Sequence, residues 1–194
     1  MIILDLWFNL EKTLRKRVFI LTGAPGVGKT TVLLKTGEVL KANGVSVGGM
    51  VSREARQDGV RVGFEILDLA TGKKGWLAHV KQTSGPQVGK YRVNLDDLQI
   101  IGARSIIEAC EKCDVVAIDE IGPMELFSSK FKEAVELAME SKKPVLAVVH
   151  AKATNDLIIK AKSRKDAQIF TVIPVNRDKL PEELSRQIQA TLNG

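Results

Sequence analysis

The run GAPGVGKT, from Gly23 to Thr30, constrains the fold of this chain more than any other feature, because a full GxxxxGK[ST] pattern demands a strand before it and a helix after it. Gly23, Gly26 and Gly28 occupy its first, fourth and sixth positions, where the backbone must curl tightly enough to turn its amides inward. Both flanks fit. The apolar, partly β-branched run Val18 to Thr22 reads as a short buried strand, and a helix is expected from near Lys29 through VLLKTGEVLKAN to a C-terminal cap at Gly44. Amides at the start of a helix, reinforced by the helix dipole, form an anion nest. The residues expected to hold the nucleotide are therefore Gly23, Ala24, Pro25, Gly26, Val27, Gly28, Lys29, Thr30 and Thr31. Lys29 should reach the β- and γ-phosphates, and the Thr30 hydroxyl should be a ligand to magnesium.

A second set of candidates lies at the ends of later strands. Asp119 and Glu120 terminate VVAI, at the carboxyl edge where open α/β sheets carry ligands. Two adjacent acids can simply mark where a strand meets solvent. Beside an intact phosphate loop they read instead as a magnesium-shell carboxylate, Asp119, and a group that orients or deprotonates the attacking water, Glu120. His150 follows VLAVV and is either a strand-exit residue or a partner for the γ-phosphate or the water. Arg53, Arg56, Arg61 and Arg92 are candidates to fold over the triphosphate, Arg56 and Arg61 bracketing the tip QDGV, although solvated arginines are common. Met124 and Phe127 could border a base pocket, and Trp76 and Tyr91 could stack on a base; packing is the ordinary role of all four.

The elements between these motifs define the fold class. Val45 to Ser52 is expected as a strand, with Gly48 and Gly49 marking a bulge or a close approach. Short alternating runs then follow at Val62 to Leu69, Trp76 to Val80 and Gly89 to Asn94, separated by glycine-containing turns. Helices are expected over Leu95 to Lys112, with Leu98, Ile101, Ile106, Ile107 and Ala109 on one face, and over Ser129 to Ser141, with Phe131, Val135, Leu137 and Ala138 as its apolar stripe. The strands VVAID and VLAVV, a helix over Ala153 to Ala161, a strand over Gln168 to Ile173 and a helix over Lys179 to Leu192 complete the pattern. This is an α/β chain with a mostly parallel sheet covered on both faces. With 194 residues of which 44% are hydrophobic, it is expected to form a single domain over 1–194, with 53–94 as a β-rich insertion.

Composition narrows the partners. The net charge of +6 comes from 29 basic against 23 acidic residues, without the dense basic block and interleaved aromatics of a nucleic-acid surface. Nucleic acid is not an expected partner. Met1 to Leu10 is apolar but too short to span a bilayer and precedes its basic cluster, so a short packed helix is expected rather than an anchor. Cys110 and Cys113 have no second pair to complete a metal site and read as buried, reduced thiols of a cytoplasmic protein. A monomer is expected, with a weak dimer as the alternative.

GAPGVGKT, the run GGMVSREARQDGVRVGFEI from Gly48 to Ile66, VGKYRVN from Val88 to Asn94 and DEIGPMEL from Asp119 to Leu126 together resemble the archaeal and thermophilic nucleoside-triphosphatase family related to human cancer-related nucleoside triphosphatase. The resemblance implies a P-loop NTPase three-layer sandwich, RecA-like, with a small antiparallel insertion. It also implies slow magnesium-dependent hydrolysis of ATP, GTP, CTP and UTP to the diphosphate and phosphate. On that pattern Lys29 and Thr30 match the phosphate and metal residues, Asp119 the metal-associated acid and Glu120 the base. Arg56 matches the arginine of an E-x-R run that begins at Glu54, and His150 a histidine after the later strand. The leader from Met1 to Lys16 departs from the family's usual start. Two other functions use the same loop: a nucleoside or small-metabolite kinase, and a nucleotide-dependent switch that binds RNA or protein.

Overall fold

The structure is a computed structural model that describes residues 15–151 and 155–193. The helix expected at Met1 to Leu10 lies outside the described residues. The elements, in chain order, are β1 (Val18–Thr22), α1 (Lys29–Ala42), β2 (Val47–Gln57), β3 (Val60–Asp68), β4 (Lys74–His79), β5 (Gln87–Val88), β6 (Tyr91–Val93), α2 (Leu95–Asp97), a π-helical turn (Leu98–Ala103), α3 (Arg104–Lys112), β7 (Val115–Ile121), a 3-10 turn (Glu125–Phe127), α4 (Ser129–Glu140), β8 (Val145–Val149), α5 (Asp156–Ser163), β9 (Ala167–Thr171) and α6 (Leu180–Leu192).

The near-continuous apolar runs VFIL, VVAI and VLAVV cannot leave either face in water, so they sit in the middle of the sheet. Nine strands form one sheet in the order β5-β6-β4-β3-β2-β7-β8-β1-β9. From β2 to β9 neighbouring strands run parallel; from β3 to β5 the pairings are antiparallel. Alternate residues of each central strand enter two cores. Val18 and Ile20 pack with residues of α3, α4 and α5, whereas Phe19 and Leu21 pack with those of α1 and α6. This is the three-layer P-loop α/β fold, and burying each large apolar side chain in it contributes about 2 kcal/mol before the entropy of ordering is subtracted.

The antiparallel strands of 53–94 continue this sheet, because β2 runs through both regions. Its first half, Val47 to Val51, is buried and parallel to β7; the rest is largely exposed and pairs antiparallel with β3. The expected end at Ser52 marked where apolar residues stop, but the ladder with β3 carries the strand on to Gln57. Gly49 resolves the other expectation for this strand: at φ 119° an added Cβ would stand 2.0 Å from the Ala117 carbonyl, so the glycine serves a close approach of β2 to β7.

Two stripe residues fall outside the core. In α3, Ile106 and Ala109 are buried three residues apart, which turns Ile107 to the rim, 36% exposed. In α4 the series Phe131, Ala134, Val135 and Ala138 takes the inward face, leaving Leu137 48% exposed. Strand β9 stops at Thr171, two residues short of the expected end. The helix expected at Ala153 to Ala161 is α5, which extends to Ser163; residues 152–154 are not described. Among the described residues no helix is long and apolar enough to cross a membrane.

Candidate functional site

Strand β1 delivers the chain into the phosphate loop, where Gly23, Gly26 and Gly28 take φ values of 148°, 73° and 109° that other residues rarely adopt. Helix α1 then begins with Gly28 at its N-cap, without a side-chain cap and without an acidic residue in its first turn. By contrast, α4 and α5 are capped by the side chains of Ser128 and Asn155. The first amides of α1 thus have no anionic or hydroxyl partner from the protein, which leaves their dipole for a ligand. Lys29 Nζ donates to the carbonyls of Gly23 and Ala24, 3.2 Å from each, and so is held back over the loop.

Parallel pairing and the order β7-β8-β1 bring the carboxyl ends of three strands to one edge. Asp119, at the end of β7, is 1% exposed. Burial pushes its carboxyl up to about 7, against the lowering effect of a hydrogen bond from Thr30; the charge of Glu120 adds to the rise and Lys29 opposes it. Among the described residues two buried side-chain polar atoms have no hydrogen-bond partner, Asp119 Oδ2 and His150 Nδ1. Both residues line the same cleft of about 1050 Å³. An unpartnered buried carboxylate oxygen is costly unless a ligand answers it. Together with the Thr30 hydroxyl it offers hard oxygen donors of the kind magnesium takes, so the residues fit that ion.

That cleft brings together most of the residues singled out by sequence. Gly23, Ala24, Pro25, Gly26, Gly28, Lys29, Thr30, Thr31, Asp119, Glu120 and His150 line it, and Val27 does not. From the antiparallel strands come Ser52, Arg53, Glu54, Arg61, Phe64, Leu77 and Val88. Arg56 is absent from this lining: its guanidinium pairs with Glu54 at 2.8 Å and donates to the Gly59 carbonyl at 3.0 Å, which holds it at the β2–β3 tip. Arg61 pairs with Glu54 from the other side, donates to the Tyr91 hydroxyl at 2.9 Å and stands over the Phe64 ring at 5.1 Å. Arg92 donates instead to the Gly85 carbonyl. Tyr91 is buried edge-on against Phe64, and Trp76 packs on His79, so both aromatics do packing work. Met124 lines the cleft, whereas Phe127 is 50% exposed and does not. Cys110 and Cys113 are free and half-buried, with burial raising both thiols.

Sequence reasoning missed Glu125, which lines the cleft at only 4% exposure. An acid inside a turn reads as exposed, and only its place between Met124 and Leu126 hinted otherwise. Burial pushes its carboxyl up to about 8, with Glu120 and Asp119 adding repulsion and the backbone amides of Glu125 and Gly122 opposing the rise. The native state therefore holds a proton that the unfolded chain releases near the ordinary value of 4.5. Stability should fall as pH rises from 4.5 to about 8, and Glu125→Gln should flatten that part of the profile in urea unfolding. A variant that keeps the parent slope contradicts a buried, protonated Glu125.

Comparison with known proteins agrees with this geometry. A family model described as NTPase matches residues 18–185. A nucleoside-triphosphatase THEP1 of Thermofilum pendens is 48% identical over 171 residues, covering 88% of this chain and 94% of the relative. One from Methanosarcina acetivorans is 52% identical over 167 residues, covering 86% and 93%. Among solved structures, the crystal structure of THEP1 from the hyperthermophile Aquifex aeolicus superposes with a TM-score of 0.79 at 31% identity, covering 89% of this chain and 99% of that one. The solution structure of a human cancer-related nucleoside triphosphatase gives 0.76 at 35% identity, covering 90% and 98%.

Proposed function

The chain belongs to the NTPase family and is an enzyme that hydrolyses nucleoside triphosphates; from that premise we propose that it does so with magnesium, accepts ATP, GTP, CTP and UTP, and activates water through Glu120. One observation carries the reading: an uncapped helix start, Lys29 and the unpartnered oxygen of Asp119 converge on one cleft. Thr30 and Asp119 are the residues that would hold the metal, which would supply neutralising positive charge to the phosphates. The loop amides and Lys29 bind the phosphate oxygens and take up charge as the bond from the γ-phosphorus to its bridging oxygen breaks. Glu120 orients the water and accepts its proton as the new oxygen–phosphorus bond forms, giving diphosphate and phosphate. His150 hydrogen-bonds a γ-phosphate oxygen through its unpartnered ring nitrogen. Arg53 and Arg61, two of the four arginines that sequence offers for folding over the triphosphate, line the cleft and take that charge-stabilising role. The free thiols of Cys110 and Cys113 support a reducing, cytoplasmic setting, and 53–94 acts as one wall of a single nucleotide-binding domain.

A second reading, a kinase, is favoured by the extension of the cleft past Glu120 to Phe64, Leu77 and Val88, which leaves room for an acceptor. Phosphate release from a panel of ribo- and deoxynucleoside triphosphates separates the two. The expected result is release from all four bases without any acceptor, abolished by chelating magnesium. Release confined to one base contradicts broad use, and transfer seen only on adding a nucleoside selects the kinase.

A further inference from the structure

We propose that Glu125 is a positioning residue for the hydrolytic step: from behind Glu120 its carboxyl holds the Glu120 carboxylate in the orientation that takes the proton of the attacking water; this rests on the hydrolysis reading above. Glu120 belongs to the end of β7 and Glu125 opens the 3-10 turn, with Gly122 between them. A Cβ added at Gly122 would stand 3.0 Å from Glu125 Oε2 and 3.2 Å from Glu120 Oε1. The two carboxyls therefore close over one point, which the missing side chain of Gly122 leaves open to them.

The turn that carries Glu125 is held by its main chain. The Leu126 amide donates to the Gly122 carbonyl at 3.1 Å, and the Ser128 amide donates to the Glu125 carbonyl at 3.1 Å. Ser128 then caps α4 through the Phe131 amide, and the Phe131 side chain is fully buried. On either side of Glu125, Met124 and Leu126 pack against the core. An apolar residue at 125 would extend that packing, whereas a carboxyl taken out of water costs free energy. Glu125 is nevertheless 4% exposed and lines the cleft, so the fold alone gives no reason for an acid there.

The chemistry of the cleft supplies one. Two carboxylates facing one point repel each other, and the one shut away from water is the one that keeps a proton. Burial accordingly pushes Glu125 up to about 8. A neutral carboxyl has one O–H to donate, and the acceptor facing it over Gly122 is Glu120. With one Glu120 oxygen fixed in this way, the other is left for the water at the edge of the cleft, where Glu120 is only half-buried. Proton transfer needs the base within hydrogen-bond reach and aligned, so a Glu120 free to rotate loses rate without losing nucleotide. The proton of the water still passes to Glu120 as the oxygen–phosphorus bond forms; Glu125 neither gains nor loses one in that step.

A double-mutant cycle separates positioning from structure. Single-turnover phosphate release and the Kd of a magnesium complex of a non-hydrolysable ATP analogue are measured on Glu125→Leu, Glu125→Gln and Gly122→Ala, each in the parent and in the Glu120→Gln background. Glu125→Leu should slow release about thirtyfold with Kd changed by less than about twofold, and Glu125→Gln, which keeps a donor of the same shape, should recover at least about tenfold of that loss. In the Glu120→Gln background the same Leu substitution should cost less than about threefold, because Glu125 acts through the carboxylate already removed. Gly122→Ala keeps both acids and meets no left-handed φ, but its methyl wedges between them, so it should slow release about tenfold in the parent and little in the Glu120→Gln background even if Glu125→Leu fails to fold. The proposal is overturned if the losses are undiminished in the Glu120→Gln background, if Gln rescues no better than Leu, if Kd rises as release falls, or if Gly122→Ala releases phosphate at the parent rate. A parent that releases no phosphate without an acceptor refutes the hydrolysis reading itself, whereas a hydrolysing parent indifferent to Glu125→Leu refutes this inference alone.

Discussion

Lys29→Ala is expected to lower phosphate release about a thousandfold, the cost of removing a fixed positive donor from the oxygens on which charge develops. The loop concentrates its binding power there. Its amides are fixed by glycine conformations, but Lys29 is the one full positive charge among residues 23–31. Its Nζ sits only 3.2 Å from loop carbonyls, so reaching a phosphate exchanges neutral acceptors for an anion, and a charged pair gains more than a neutral one. The fold should survive, since Lys29 contributes no buried apolar contact and α1 retains Val32, Leu33 and Leu40 in the core. Thermal unfolding of the unliganded variant within a few degrees of the parent, with turnover lost, is the expected pair of results. Turnover within about tenfold of the parent would remove Lys29 from the reaction.

Glu120→Gln should separate binding from chemistry. The amide matches the carboxylate in size and can still hydrogen-bond the water, but it cannot take its proton, so kcat should fall about a hundredfold or more while nucleotide Kd holds. Glu120 is half-buried at the cleft edge, reachable by water, whereas Asp119 beside it is enclosed. That difference in access supports the proposed division of the two acids between base and metal support. Single-turnover phosphate release and equilibrium binding of the same variant test it. An unchanged kcat shows that another group handles the water, and a Kd that rises with the loss of kcat shows that Glu120 belongs to binding.

The parts of the site legible in sequence were those whose chemistry is local. A glycine-rich loop between an apolar strand and a helix carries its own geometry, and acids or a histidine at the end of a buried strand need only the strand to be parallel to β1. The sheet order then brings Thr30, Asp119, Glu120 and His150 to one edge. Contributions that depend on distant pairing were not legible. Arg56 and Arg61 are four residues of hairpin tip apart and look equivalent, but the register of β3 against β2 and the hydroxyl of Tyr91 draw Arg61 into the cleft and leave Arg56 with Glu54 and Gly59. Glu125 was hidden because charge suggests solvent, and only packing shows that its turn is closed over.

The most direct test is a structure of the protein with magnesium and a non-hydrolysable triphosphate analogue. The expected result has the β- and γ-phosphates on the amides of residues 23–30, Lys29 Nζ within hydrogen-bonding distance of both, and the metal beside the Thr30 hydroxyl with the Asp119 carboxylate facing its shell. Phosphates bound elsewhere, or a metal site from which both Thr30 and Asp119 are remote, would contradict it.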